Sequence, residues 1–258
     1  MSSKIAPISR EKIRTLRSLA SRKIRHRRAM CLVEGEKALL EAGRSGFLEY
    51  VVSREDRSQG AFRIGEGLDE VKIPVYLGDE DLFREVSDVV HQQGWLGVAR
   101  IPVSPRFPEV MHQEKMVLLH LDAVQDPGNA GALIRSAWAL GAAGVLLGPG
   151  SADPFGPKAV RASAGGVFHL PCYEGMGEEG LASLRQAGFC VYLADKGGVP
   201  CGEIDFGSRS ILAVGNEGQG LSPWITEQGD LVSVPMKEGV DSLNVVVAGS
   251  LILAAMLE

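Results

Sequence analysis

The sequence predicts an α/β fold in two parts, a small N-terminal α/β unit followed by a larger C-terminal domain on a mostly parallel sheet. Three observations predict it. Beyond residue 115, near-continuous apolar runs alternate with helix-like stretches, the pattern of strands buried on both faces. Before residue 102 the apolar runs are short and mixed with helical segments. Between them, residues 102–115 (PVSPRFPEVMHQEK) hold three prolines and no regular apolar period, as a linker does. The expected divisions are residues 1–106, a linker at 107–115, and residues 116–258.

Each element follows from a local pattern. Residues 9–20 (SREKIRTLRSLA) place Ile13, Leu16 and Ala20 on one helical face and Arg and Lys on the other, behind Ser9 as N-cap. An apolar strand at 31–33 precedes EGEKALLEAG, read as a helix ended by Gly43. Short strands follow at 50–53, 75–77 and 95–101, with a helix near 79–86. In the second part, a strand at 116–124 leads to a helix at about 128–140, and a strand at 144–147 to a helix near 157–164. A helix at 179–187 precedes a strand at 189–194, strands lie at 211–214 and 231–234, and a last helix runs from Ser242 to the end.

Composition narrows the function classes. With 258 residues, 45% of them hydrophobic, the chain can bury one large core or two modest ones. A net charge of −5 gives no reason by itself to expect nucleic acid, but its distribution does. Residues 1–28 hold ten Lys/Arg against the single acid Glu11, whereas residues 114–258 hold eight bases and sixteen acids. Cys31, Cys172, Cys190 and Cys201 show no C-x-x-C spacing, so neither a zinc site nor a disulfide framework is expected. The five histidines (His26, His91, His112, His120, His169) share no ligand spacing, and no metal is expected. The start lacks the apolar core of a signal peptide, and no run of about 18 apolar residues suggests a membrane span. The expected location is cytoplasmic.

In open parallel sheets, ligands gather where loops leave the C-terminal ends of strands, so the polar residues after each apolar run matter most. Three such loops stand out. LDAVQDPGNAGALIRSAWALGA has Asn129 opening a helix that carries Arg135; ILAVGNEGQGLSP puts Gly215, Gly218 and Gly220 after a buried strand; LVSVPMKEGVDSLNVVVAGSLILA passes from strand through loop to a helix capped at or near Ser242. GNEGQG lacks the G-x-G-x-x-G spacing of dinucleotide binding, and no G-x-x-x-x-G-K-[ST] occurs. Singly, each residue has a plain structural reading. The glycines fit a tight turn, Asn216 and Glu217 fit turn positions, Arg135 fits a snorkelling or paired surface charge, and Ser242 and Asn244 fit helix caps.

Together the three segments resemble the SpoU (TrmH-type) family of the SPOUT superfamily of RNA methyltransferases. Asn129 with Arg135, GNEG at residues 215–218 and SLN at residues 242–244 match that family's signature segments in order, and EGEKALLEA at residues 34–42 looks like the start of its N-terminal substrate-binding domain. The resemblance implies a C-terminal domain with a deep trefoil knot, a rare exception to unthreaded chains. It implies S-adenosylmethionine as cofactor, held at Gly215, Val234 and Leu243 with Leu212 and Met236 nearby. Homodimers with the active site at the subunit interface are also implied, and the strongly apolar stretch VVVAGSLILAAML fits a dimer helix or an internal core helix equally well.

The implied reaction is transfer of the cofactor's methyl group to a ribose 2′-hydroxyl, which must lose its proton near the transition state. The resemblance places Arg135 where a general base has been proposed. An arginine stays charged because its pKa exceeds about 12, which makes electrostatic positioning of phosphate and developing alkoxide at least as good an account. Asn129, Glu217, Ser242 and Asn244 match the remaining active-site positions, with Glu217 the expected ion-pair partner of Arg135. The sulfonium supplies an activated leaving group, so no metal is needed. Arg22, Lys23, Arg25, Arg27 and Arg28 (RKIRHRR) are the expected RNA contacts, set against a solvated charge run or a disordered arm. Ribosomal RNA is favoured over transfer RNA by analogy with the domain arrangement. The rival readings are a noncatalytic RNA-binding protein of the same fold and a methyltransferase acting on a base nitrogen.

Overall fold

The computed structural model describes residues 5–54, 73–87, 93–105 and 115–258. The expected linker at 107–115 lies outside the described residues except for Lys115, as do Lys4, His91 and His112. The chain divides into two units, Met1–Pro102 with Phe155–His169, and Val103–Pro154 with Leu170–Glu258.

In the first unit, strands β1 (Ala6–Pro7), β2 (Met30–Glu34), β3 (Leu48–Arg54), β4 (Val75–Gly78) and β5 (Trp95–Arg100) form one sheet in the order β1-β4-β3-β5-β2. β1, β4 and β3 run parallel, whereas β5 is antiparallel to both β3 and β2. Among the described residues before Pro102 the helices are α1 (Arg10–Ser18), α2 (Arg22–Arg28), α3 (Glu36–Arg44) and α4 (Glu80–Val86). Ser9 caps α1 as its pattern predicts, accepting the Lys12 N–H at 3.4 Å, and Leu16 packs into a core with Leu19, Leu32, Val52 and Phe83.

Two expectations change here. α3 does not stop at Gly43, which is buried inside it; the left-handed residue is Gly46 (φ 73). The Gly46 N–H bonds to Gly43 O and the Phe47 N–H to Ala42 O, each at 2.9 Å, the Schellman pattern three residues later than expected. Gly43 is a buried residue of the helix, and sequence does not separate such a glycine from one kept for positive φ. The second change concerns RKIRHRR, which is helix α2. Arg25 is 5% exposed, and its Nη1 donates to Leu19 O at 2.7 Å and Ala20 O at 2.8 Å, carbonyls left open where α1 ends. Arg25 therefore leaves the expected RNA-contact set, while Arg22, Lys23, Arg27 and Arg28 remain exposed.

The return of Phe155–His169 to this unit has no signal in the sequence. The short helix Pro157–Ala162 lies against β2, where Arg161 Nη1 donates to one oxygen of the buried Glu34 at 2.7 Å and the Ser87 hydroxyl donates to the other. Removing either donor would leave a buried carboxylate short of partners.

In the second unit, β6 (Met116–Leu121), β7 (Gly144–Leu147), β8 (Cys172–Glu174), β9 (Cys190–Pro200), β10 (Arg209–Val214) and β11 (Asp230–Ser233) form the order β11-β9-β10-β6-β7-β8, every pair parallel. This is the parallel sheet the apolar runs predict. Every residue of β6 and β7 is buried, which is why these strands read as unbroken apolar sequence. Among the described residues four helices cover it: α5 (Pro127–Leu140), α6 (Glu178–Gln186), α7 (Pro223–Thr226) and α8 (Val245–Leu257). Leu118, Leu146, Ile211 and Ala213 pack with Leu181, Leu184 and Ile225 of α6 and α7. α5 and α8 pack together, and Gly249 sits so close that a Cβ would stand 2.9 Å from Leu133 Cδ2 and 3.1 Å from Val214 Cγ1.

Helix starts also shift. α5 begins at Pro127 with Asp126 as its cap, so Asn129 lies inside the first turn and does not open it. α8 begins at Val245, capped by Asn244, whose side chain accepts the Val246 N–H at 2.8 Å; Ser242 belongs to the loop before it.

His120 lies fully buried on β6, with Nε2 2.9 Å from Met176 O and, among the described residues, no partner for Nδ1. Burial pushes its pKa below the ordinary imidazole value, against smaller opposite effects of the Met176 carbonyl and the Asp122 charge. The unfolded chain takes up this proton near pH 6.5, while the folded chain does so only at lower pH. Stability from this group is thus complete above about pH 6.5 and falls as the pH drops below it. Urea titrations at pH 7 and pH 5 should show a loss of stability that shrinks in a His120→Gln variant, and equal losses would refute the assignment.

Candidate active site

Because the strands are parallel, the loops after β6, β10 and β11 leave from one edge of the sheet, and these are the three motif segments. Gly215 follows Val214 directly. A Cβ there would stand 2.4 Å from Gly220 C and 2.5 Å from both Gly220 O and Leu221 N, so only glycine lets the loop fold back on itself. Asn216 and Gly220 then exchange backbone hydrogen bonds at 2.8 and 2.9 Å.

Asn216 does more than turn the chain. Its Oδ1 accepts from the Gly218 and Gln219 N–H groups at 2.9 and 3.0 Å, and its Nδ2 donates to Ala123 O at 2.9 Å. The second tie between the loops is Asn129 Nδ2, which donates to Glu217 Oε1 at 2.9 Å. The Asn129 backbone N–H is taken by the Asp126 cap, leaving its side chain for this contact.

A cleft of about 650 Å³ opens among the loops. Gly215, Glu217, Val234, Met236, Ser242, Leu243 and Asn244 all line it, drawing the second and third motif segments to one place. Val232 and Ile252 add to its apolar wall, and Asp195, Lys196 and Asp241 join Glu217 as its charged residues. Three acids against one base make the lining net acidic. Such a surface favours a cationic ligand.

Three expected residues stand apart. Leu212 is fully buried within β10 and does not line the cleft, since its strand position points it into the core. Asn129 reaches the site only through Glu217. Arg135 is exposed on α5, about 9 Å along the helix axis from Asn129 at 1.5 Å per residue. Among the described residues it forms no ion pair with Glu217, whose carboxylate is engaged by Asn129 instead. Asp122, the first polar residue after β6, is a further residue of this edge that motif matching misses, although the rule about strand-end polar residues points to it.

Comparison with known proteins agrees with this geometry. Residues 116–254 match the SpoU rRNA Methylase family. The chain is 34% identical over 246 residues to the 23S rRNA (guanosine(2553)-2'-O)-methyltransferase RlmP of Bacillus subtilis, covering 94% of each protein. It is 36% identical over 162 residues to a 23S rRNA (uridine(2479)-2'-O)-methyltransferase of Streptomyces viridochromogenes, spanning 60% of this chain and 53% of that protein. In fold it is similar to the SpoU methyltransferase AviRb from Streptomyces viridochromogenes, solved with the cofactor AdoMet, at a TM-score of 0.82 and 28% identity over 96% of this chain and 97% of that one. An rRNA methyltransferase from Sinorhizobium meliloti aligns at a TM-score of 0.79 and 26% identity, over 98% and 96% of the two chains. A family match across the whole parallel-sheet unit, with relatives alike in sequence and fold over nearly the full length, leads to one conclusion: the chain belongs to the SpoU rRNA Methylase family.

Proposed function

We propose that this protein transfers a methyl group from S-adenosylmethionine to a ribose 2′-hydroxyl of RNA, with 23S ribosomal RNA the favoured substrate. The observation that carries the reading is the meeting of two motif loops in one cleft, with the 215–221 loop as a wall and the first motif segment tied to it by Asn129 on Glu217. Its apolar side and acidic lining suit a nucleoside joined to a sulfonium. The names of the relatives, which act on 23S rRNA at ribose oxygens, support the substrate class. When bound, the cofactor supplies an activated methyl group. Gly215, Val234, Met236 and Leu243 hold it, and Glu217, Asn129, Ser242 and Asn244 order the acceptor side by hydrogen bonding. Incubation with methyl-labelled cofactor and bulk RNA, followed by mapping of alkali-resistant linkages, tests this. Label at 2′-oxygens of rRNA is expected; none with competent RNA would sink the enzyme, and base-methylated nucleosides would sink the acceptor.

The proposal includes a homodimer. Arg135 is exposed and off the cleft of its own chain, and Val247 and Leu251, one helical turn apart on α8, are 46% and 47% exposed. A second copy laid on this apolar face offers Arg135 to the partner's cleft, where it positions phosphate and stabilises the developing alkoxide. A trefoil knot in the chain between β10 and α8 belongs to the same reading, supported by the packing of α8 on both α5 and β10. So does a cytoplasmic location. Among the described residues, no helix is long and apolar enough to cross a membrane.

Arg22, Lys23, Arg27 and Arg28 are proposed to contact RNA phosphates. Replacing all four with Gln should weaken RNA binding and flatten its log–log salt dependence by roughly 0.7–0.9 for each phosphate no longer neutralised. Filter binding across a salt series reads both, and an unchanged slope would remove the patch. Arg25→Ala should act on stability instead, because its guanidinium holds main-chain carbonyls.

A further inference from the structure

Asp122 is a buried charge outside the cofactor and acceptor sets. It is 1% exposed, and its N–H donates to Val214 O at 2.9 Å, extending the pairing of β6 with β10 by one step. Its Oδ2 accepts the Ser222 N–H at 2.6 Å and its Oδ1 accepts the Ser222 hydroxyl at 2.9 Å. Ser222 occupies the N-cap of α7, where a serine normally bonds back to the helix; here the side chain makes no cap bond. The hydroxyl is instead turned so that it donates to the carboxylate, a charge-assisted bond in a low-dielectric setting.

Among the described residues no ion pair neutralises Asp122, and burying a carboxylate without a cation is unfavourable compared with a neutral tie. Its position gives a reason. The loop that leaves β10 is held at its exit by Asn216 Nδ2 on Ala123 O, and at its return by Ser222 on Asp122. Two consecutive residues at the end of β6 thus grip both ends of the segment that walls the cleft. Asp122 itself does not line the cleft.

We propose that Asp122 is a positioning residue for the cofactor, clamping the 215–222 loop in its binding conformation before the ligand arrives. This rests on the cleft being the S-adenosylmethionine site. A loop already held in place loses less freedom on binding, so the clamp acts on affinity. Charge-assisted hydrogen bonds set the expected size: Ser222→Ala should raise the cofactor dissociation constant about fivefold and Asp122→Asn about thirtyfold. Ser222→Thr, which keeps the hydroxyl, should bind like the natural protein. The Asp122→Asn/Ser222→Ala double variant should bind no more weakly than Asp122→Asn alone, because both changes remove one shared interaction.

Calorimetric titration of the full chain with S-adenosylmethionine, at a temperature well below the melting transition, reads these values. RNA affinity serves as the quantity that should not move. Natural affinity in folded Asp122→Asn and Ser222→Ala, or additive effects in the double variant, overturns the clamp. If Asp122→Asn does not fold, equal affinities of Ser222→Ala and Ser222→Thr overturn it alone. Should the natural protein bind no S-adenosylmethionine, the cleft assignment and the clamp both fall. If binding is lost in Gly215→Ala yet intact in the Asp122 and Ser222 variants, only the clamp falls.

Discussion

Alanine at Gly215 is expected to abolish cofactor binding while the rest of the second unit stays folded. The added Cβ would meet the Gly220 carbonyl and the Leu221 nitrogen at 2.4–2.5 Å, and these are main-chain atoms that no rotamer change can move aside. The loop must open, separating Asn216 from Gly220 and displacing the wall of the cleft. Overpacking of this kind costs about 1–3 kcal/mol or more, and displacement of the loop should weaken binding about a hundredfold or beyond. Gly218 provides the internal control. A Cβ at that position meets only Asn216 Oδ1, at 3.6 Å, so Gly218→Ala should bind within about threefold of the natural protein, a difference of under about 1 kcal/mol. Calorimetry on both variants, with melting curves beside it, makes the comparison. Full affinity in a folded Gly215→Ala protein would place the cofactor elsewhere.

Loss of Arg135 should act on turnover and not on cofactor affinity, because it does not line the cleft of its own chain and its proposed contact is with the acceptor phosphate. Removing a single charge-stabilising donor from an active site typically lowers turnover about 10²–10³-fold, and Arg135→Ala should fall by at least that much. Arg135→Lys distinguishes the two accounts of its role. A lysine keeps the charge but releases its proton more readily, so a proton acceptor would show a shifted pH–rate profile and an electrostatic contact a reduced but unshifted one. Mixing Arg135→Ala with Gly215→Ala chains tests the dimer at the same time. If Arg135 serves the partner's cleft, mixed dimers carry one intact site, and about a quarter of the natural activity returns at equal mixing. No recovery from exchanging subunits would mean that Arg135 serves its own chain.

Much of the second unit is legible in the sequence because two of its strands bury every residue. β6 and β7 have no exposed positions, so each stands out as a short apolar run, and Gly141 (φ 89) ends α5 where the apolar helical pattern stops. Helix starts are less legible. The segment DPGN offers two good caps, and the choice of Asp126 over Asn129 depends on Pro127 taking the first helical position. SLN likewise offers Ser242 and Asn244, and only the backbone path chooses Asn244. Arg25 escapes notice for a related reason. In a run of like charges nothing local marks the one residue that folds back onto the end of the preceding helix.

The α/β class, the parallel character of the larger sheet and the three strand-end segments are all written in the sequence, because they depend on side-chain periodicity and strand-end chemistry, which are local. Other features exist only in the folded chain: Glu217 answers Asn129 and not Arg135, Asp122 holds Ser222 a hundred residues away, and Phe155–His169 joins the first unit. The first two are pairings across the chain, set when the strand order β11-β9-β10-β6-β7-β8 brings distant loops to one edge. Local patterns carry no information on that order, because it is the joint packing of all the strands and their covering helices that selects it.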